Sequence, residues 1–166
     1  MFDAAVNRPT NESFGAEDDS VATGPTGNES SVTHNRVLIV DNHAPFRSIA
    51  RQVLTADGFL VVGEAADGRE AIRACGELRP DLVLLDVQLP DLDGFAVTAV
   101  LTARIEPPAV VLLSSRSRTD YGSRIEDCGA RGYITKAELS GGVVRRLLPI
   151  PDGVPPRGSD PGWDAL

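Results

Sequence analysis

The segment LVLLDVQLPDLDGF, residues 82–95, joins a run of four apolar residues to an aspartate and then to a turn bearing Pro90 and Gly94. A strand covered on both faces has no solvent side to mark with polar residues. An unbroken apolar run of this length therefore predicts a buried strand of a parallel sheet, over Leu82–Leu85. Asp86 stands at its carboxyl end. Gly94–Arg104 reads as the following helix, stopped by Glu106-Pro107-Pro108.

The same grammar repeats on either side. Upstream, VLIV (Val37–Val40) is a second short apolar run, and Pro45 suits the first turn of the helix after it. In that helix Phe46, Ile49, Ala50, Val53 and Leu54 recur at helical spacing and predict its buried face, and Gly58 ends it. Leu60–Val62 is a further strand. Asp67 caps a helix to about Leu78, with Ala71, Ile72, Ala74 and Cys75 turned inward. Downstream, Val110–Leu113 and Tyr133–Thr135 are strands. The helix between them, about Asp120–Cys128, is weak because it holds Gly122 and few apolar residues. The last helix, Leu139–Leu148, is weakened by Gly141-Gly142. Five strands alternating with five helices predict an α/β fold with a doubly wound parallel sheet.

Composition sets the frame. Of 166 residues 42% are hydrophobic, enough for one core. The net charge of -8 is carried mainly by the ends: residues 1–34 hold six acids against Arg8, and residues 149–166 hold Asp152, Asp160 and Asp164 against Arg157. Acidic ends argue against direct nucleic-acid binding. Residues 1–34 are polar and acidic, and residues 149–166 are dense in Pro and Gly, with Trp163 the one large aromatic there. Both are expected to be disordered tails flanking a domain at 35–148. Two cysteines, Cys75 and Cys128, suit neither a disulfide framework nor a zinc site. With no secretory signal and no apolar run of membrane length, the expectation is a cytoplasmic protein with no membrane contact.

In an open parallel sheet, ligands bind beyond the carboxyl ends of the strands. The strands here end in Asp41-Asn42, Asp86, Ser114-Ser115 and Lys136, so one edge is predicted to gather carboxylates, a hydroxyl and an ammonium. Neighbouring carboxylates repel unless a cation sits between them, and a hard ion held by few carboxylates and several waters is magnesium. Lys136 adds a compact positive charge, Ser114 a hydroxyl for a phosphoryl oxygen, and Asp86 a nucleophile able to form an aspartyl phosphate.

VLIVDNHAPFR, LVLLDVQLPDLDGF, VVLLSS and GARGYITKAEL, in that order, resemble the four signature segments of bacterial response-regulator receiver domains. The resemblance spans about Arg36–Leu148 and implies the flavodoxin-like fold with strand order 2-1-3-4-5. It implies Asp86 as phosphoacceptor, and Asp41, Asn42, Asp86 and the backbone carbonyl of Gln88 as ligands of Mg2+. It further implies Ser114 as the switch hydroxyl, Tyr133 as the switch aromatic, Lys136 as the phosphate-contacting lysine, and Pro90 and Gly94 as the turn after the phosphoacceptor. A sensor histidine kinase is the implied phosphoryl donor in a two-component phosphorelay. No enzymatic activity is implied beyond self-phosphorylation and self-dephosphorylation at Asp86.

Two positions depart from the pattern. Asn42 stands where most members have a second acid, which lowers the expected metal affinity, and Ala137 replaces a proline that often follows the lysine. Only 18 residues follow Leu148, too few for a helix-turn-helix, so output is expected through a downstream protein effector. The alternative reading is a degenerate pseudo-receiver that binds a protein partner without phosphorylation. A flavin binder fits poorly, because Asp41-Asn42-His43 replaces the Ser/Thr/Gly-rich phosphate cradle such a fold needs.

Overall fold

Each apolar run becomes a strand, in a computed structural model that describes residues 35–148. The predicted tails 1–34 and 149–166, with Trp163, lie outside the described residues. The elements are β1 (Arg36–Val40), α1 (Ala44–Ala56), β2 (Leu60–Ala65), α2 (Gly68–Leu78), β3 (Leu82–Asp86), α3 (Gly94–Thr102), β4 (Ala109–Ser114), α4 (Arg124–Asp127), β5 (Gly132–Thr135) and α5 (Gly141–Leu147). The five strands form one sheet in the order β2-β1-β3-β4-β5, with every neighbouring pair parallel.

Alternate side chains of the central strands enter two separate cores. Val37, Ile39, Leu82, Leu84, Val111 and Leu113 pack with Ala50 and Leu54 of α1, Phe59 and Val144 of α5. Leu38, Val40, Val83, Leu85, Val110 and Leu112 pack on the other face with Ala71 and Cys75 of α2, Phe95, Val97 and Leu101 of α3, and Ile125 of α4. Burial on both faces is why these runs carry no polar alternation. Each fully buried Leu or Val contributes about 1.5–3 kcal/mol through the hydrophobic effect.

Local signals explain the helix ends. Pro occupies the first turn of α1, and Gly58, at φ +87°, closes it. Gly58 N–H donates to the Thr55 carbonyl and Phe59 N–H to the Leu54 carbonyl, the paired bonds of a Schellman stop. Asp67 caps α2 by accepting from Glu70 N–H, and the Glu70 carboxylate accepts from Ala66 N–H in return.

Several expectations are corrected. Ile49, predicted to face the core, is 58% exposed, while Ala50 and Leu54 carry the burial of α1. β2 runs on to Ala65, through a register shift between Val37 and Leu38 that accommodates the extra residue on its side of the pair. α3 stops at Thr102, before the prolines. The predicted helix at 120–128 shrinks to the four residues of α4, preceded by a tight turn at Arg118–Asp120. The last helix starts at Gly141, after a turn at Lys136–Glu138. There Gly141 is required by space, since a Cβ would meet Asp57 at 2.3 Å, and its N–H donates to the Asp57 carboxylate at 2.7 Å. Both cysteines are free; Cys75 is buried, which raises its thiol pKa, and Cys128 is only half-buried. Among the described residues, no helix is long and apolar enough to cross a membrane.

Candidate functional site

The carboxyl ends of β1, β3, β4 and the residue after β5 converge. Asp41 follows β1 with no exposed surface, and Asp86 ends β3 at 4% exposure. Lys136, first residue after β5, reaches back so that its ammonium lies 2.6 Å from Asp41 Oδ2 and 2.9 Å from Asp86 Oδ2. One cation thus serves two buried carboxylates. The Phe46 ring, 4.8 Å from the ammonium, borders it on the α1 side.

Backbone amides hold the other carboxylate oxygens. His43 N–H donates to Asp41 Oδ1 at 2.8 Å and Gln88 N–H to Asp86 Oδ1 at 3.0 Å. Arg47 of α1 donates to the Asp41 carbonyl at 2.6 Å and pairs with Glu64 at 3.1 Å, so the β1–α1 loop is clamped from behind. Glu64 also meets Arg51 at 2.7 Å, and the two guanidiniums hold its carboxyl below the ordinary value.

The electrostatics follow from burial. Burial raises the Asp86 pKa, with the Asp41 charge adding to it and the Gln88 amide and Lys136 ammonium opposing it. For Lys136, burial works against the charge, yet the two carboxylates outweigh it and hold the ammonium above its ordinary value. Asp41 Oδ2 is buried and has no partner in hydrogen-bond geometry, although the ammonium is close by. A pocket with two negative charges and one positive keeps an excess negative charge, which fits a further cation. Among the described residues no group of three or more His, Cys, Asp or Glu could hold a metal. The two carboxylates, with Asn42 and Gln88 near them along the chain, are oxygen donors of the kind that suits a hard, water-rich ion such as magnesium.

The remaining predicted residues sit at the same edge with different degrees of contact. Asn42 and Gln88 are exposed at its mouth. Ser114 is 1% exposed, one residue past Leu113, the register partner of Asp86. Its hydroxyl makes no bond to Asp86; it accepts from Arg116 N–H at 3.1 Å and shares a 2.9 Å bond with the Tyr121 hydroxyl. Tyr133 is half-buried on β5 and donates to the Arg116 carbonyl at 2.5 Å. Burial raises its phenol pKa. Pro90 and Gly94 lie in the turn, where Gly94 N–H bonds the Val87 carbonyl at 2.9 Å. Asp91 in that turn accepts from the N–H groups of Gly68 and Arg69, tying it to the start of α2.

Residues 37–146 match the response regulator receiver domain family. The chain belongs to that family. The receiver is 37% identical over 115 residues to the transcriptional regulatory protein PdtaR of Mycobacterium tuberculosis, an alignment covering 69% of this chain and 55% of PdtaR. It is 40% identical over 107 residues to a protein-glutamate methylesterase/protein-glutamine glutaminase of Anaeromyxobacter dehalogenans, covering 64% of this chain and 30% of that relative. The receiver spans about half the length of several curated relatives it matches. Among solved structures, the signal receiver domain of NarL from M. tuberculosis superposes with a TM-score of 0.60 at 30% identity, covering 68% of this chain and 94% of that one. A chain of the CheX–CheY complex with BeF3 and magnesium from Borrelia burgdorferi gives 0.60 at 26% identity, covering 68% and 84%. The receiver is therefore a bacterial two-component signalling domain.

Two participants in this site carry no mark in the predicted set, Tyr121 and Arg47. Tyr121 falls in the segment read as a poor helix; its signal is an aromatic stranded among polar residues shortly after Ser114. Arg47 lies three residues before Ala50 and seven before Leu54, on the inward face of α1, where its charge marks it as a solvent residue.

Proposed function

We propose that this receiver accepts a phosphoryl group on Asp86 from a sensor histidine kinase and signals to a protein partner through a change of shape. The supporting observation is the single ammonium of Lys136 shared by two buried carboxylates from different strands. One Asp86 oxygen forms the O–P bond as the N–P bond of the donor phosphohistidine breaks, the electron pair going to that nitrogen and the imidazole leaving neutral with the proton its other ring nitrogen already carries. Asp86 acts in its ionised form, so uptake falls as pH drops through its raised pKa. Lys136 would follow the new negative charge from carboxylate to phosphoryl oxygen.

Magnesium would be held by Asp41, Asp86, the Asn42 side-chain oxygen and the Gln88 carbonyl, and would supply neutralisation of phosphoryl charge. Ser114 would turn to an incoming phosphoryl oxygen, and Tyr133, already bonded to the loop after Ser114, would follow it. The BeF3 and magnesium in a solved relative support the same chemistry.

Incubating the full chain with a small-molecule phosphodonor and magnesium is expected to add one phosphoryl group by intact mass, and Asp86→Ala to take up none. Absence of uptake by the wild-type chain would leave a phosphorylation-independent protein-binding module. Asn42→Asp is expected to tighten magnesium about tenfold by restoring a charge to the ligand set, read by calorimetric titration.

A further inference from the structure

The hydroxyl of Ser114 is already engaged, and its second partner is a side chain outside the proposed phosphorylation machinery. A serine hydroxyl offers one proton and two lone pairs. Arg116 N–H occupies one lone pair, and Tyr121 Oη lies 2.9 Å away. Where Ser114 is the donor, its single proton is committed to Tyr121, and it reaches a group on Asp86 only by leaving Tyr121.

Tyr121 is itself well seated. Its ring meets Phe95 edge-on, with centroids 5.6 Å apart, and Tyr133 at 5.9 Å. Phe95 is the second residue of α3, and the Arg124 guanidinium lies over its ring at 4.2 Å while pairing with Asp93 at 2.6 Å. The two phenols grip one loop at different points, Tyr121 on the Ser114 side chain and Tyr133 on the Arg116 carbonyl.

We infer that Tyr121 is a positioning residue that retains the Ser114 hydroxyl away from Asp86 and so sets how much phosphoryl group, or phosphoryl mimic, is needed to recruit it. The inference rests on the proposal that Ser114 contacts the phosphoryl group. The bond to Tyr121 is lost in the engaged state, so its net worth opposes engagement. Removing the hydroxyl should lower the half-saturating ligand concentration about three- to tenfold, the range of one net hydrogen bond. Tyr121→Phe keeps the ring and its packing on Phe95.

The test uses the full chain and beryllofluoride with magnesium as the probe, followed by nuclear magnetic resonance. Tyr121 and Tyr133 are the two tyrosines of the chain, so their ring signals are assigned from the two Phe variants. In Tyr121→Phe without probe, the Arg116 amide should move toward its probe-bound position, and saturation should need three- to tenfold less beryllofluoride. An unchanged half-saturation point in Tyr121→Phe, with the wild type responding, overturns the role of Tyr121 and leaves the phosphoacceptor reading intact. A wild-type chain with no response at all overturns both. A second measurement needs no variant at Tyr121: its ring signal in otherwise wild-type protein must shift on saturation. A ring signal that stays in place while the amides near Asp86 shift also overturns the inference.

Discussion

Lys136→Met is expected to destabilise the domain by about 2–4 kcal/mol near neutral pH, because it strands two carboxylates that have almost no contact with water. The sign of the pH dependence separates this cause from lost packing. Asp86 is held above the ordinary carboxylate value, so protonating it relieves the unpaired charge. The deficit of the variant should be full above that raised pKa and shrink as pH falls through it. In the wild-type protein the raised pKa of Lys136 has the opposite window. Its contribution is complete below the unfolded lysine value and is lost as pH climbs through the folded one. Urea denaturation across acid to neutral pH measures the trend. Adding Asp86→Asn to Lys136→Met should recover much of the loss, since one buried charge disappears. A deficit that is flat with pH and survives the double substitution would place the lysine's value in packing of its apolar stem rather than in charge pairing.

Gly94→Ala is expected to cost about 3 kcal/mol, through the backbone rather than a side chain. A Cβ at this position would stand 2.5 Å from the Asp86 carbonyl oxygen and 2.7 Å from Val87 Cα. Neither can rotate aside, and the Gly94 N–H bond to the Val87 carbonyl fixes the approach. The displaced backbone belongs to Asp86 itself, so the variant should also weaken the response to beryllofluoride. Gly142→Ala is the control. A Cβ there meets nothing within 4 Å, and Ala in a helix is favoured over Gly by up to about 1 kcal/mol, so stability should hold or rise. Equal stability losses in the two variants, read from denaturation midpoints, would refute the steric account.

Strand position was legible because a two-sided core writes itself as unbroken apolar runs, and three of the site residues were legible because they stand where those runs stop. Asp41, Asp86 and Lys136 meet as expected. Helix faces were harder to read. The α1 pattern admitted Ile49, but only residues in line with Ala50 and Leu54 reach the sheet. The segment after Ser114 was least legible: its turn, its four-residue helix and Gly122 at φ +55° are held by side-chain contacts from elsewhere in the chain, such as Arg124 with Asp93 and Phe95. Tyr121 went unmarked for that reason, since its partner Ser114 is set by tertiary packing rather than by periodicity.

The ammonium that balances the pocket hangs from β5, a four-residue strand on the margin of the sheet, paired on one side with β4. Proteins open locally in cooperative units of differing stability, and a strand paired on one side has fewer bonds to break than an interior one. An opening of β5 would withdraw the counter-charge from Asp41 and Asp86 while both stayed anchored on interior strands. The charge of the pocket is thereby linked to local unfolding at its rim, and a partner that clamps β5 would stabilise the ion triad without touching an aspartate.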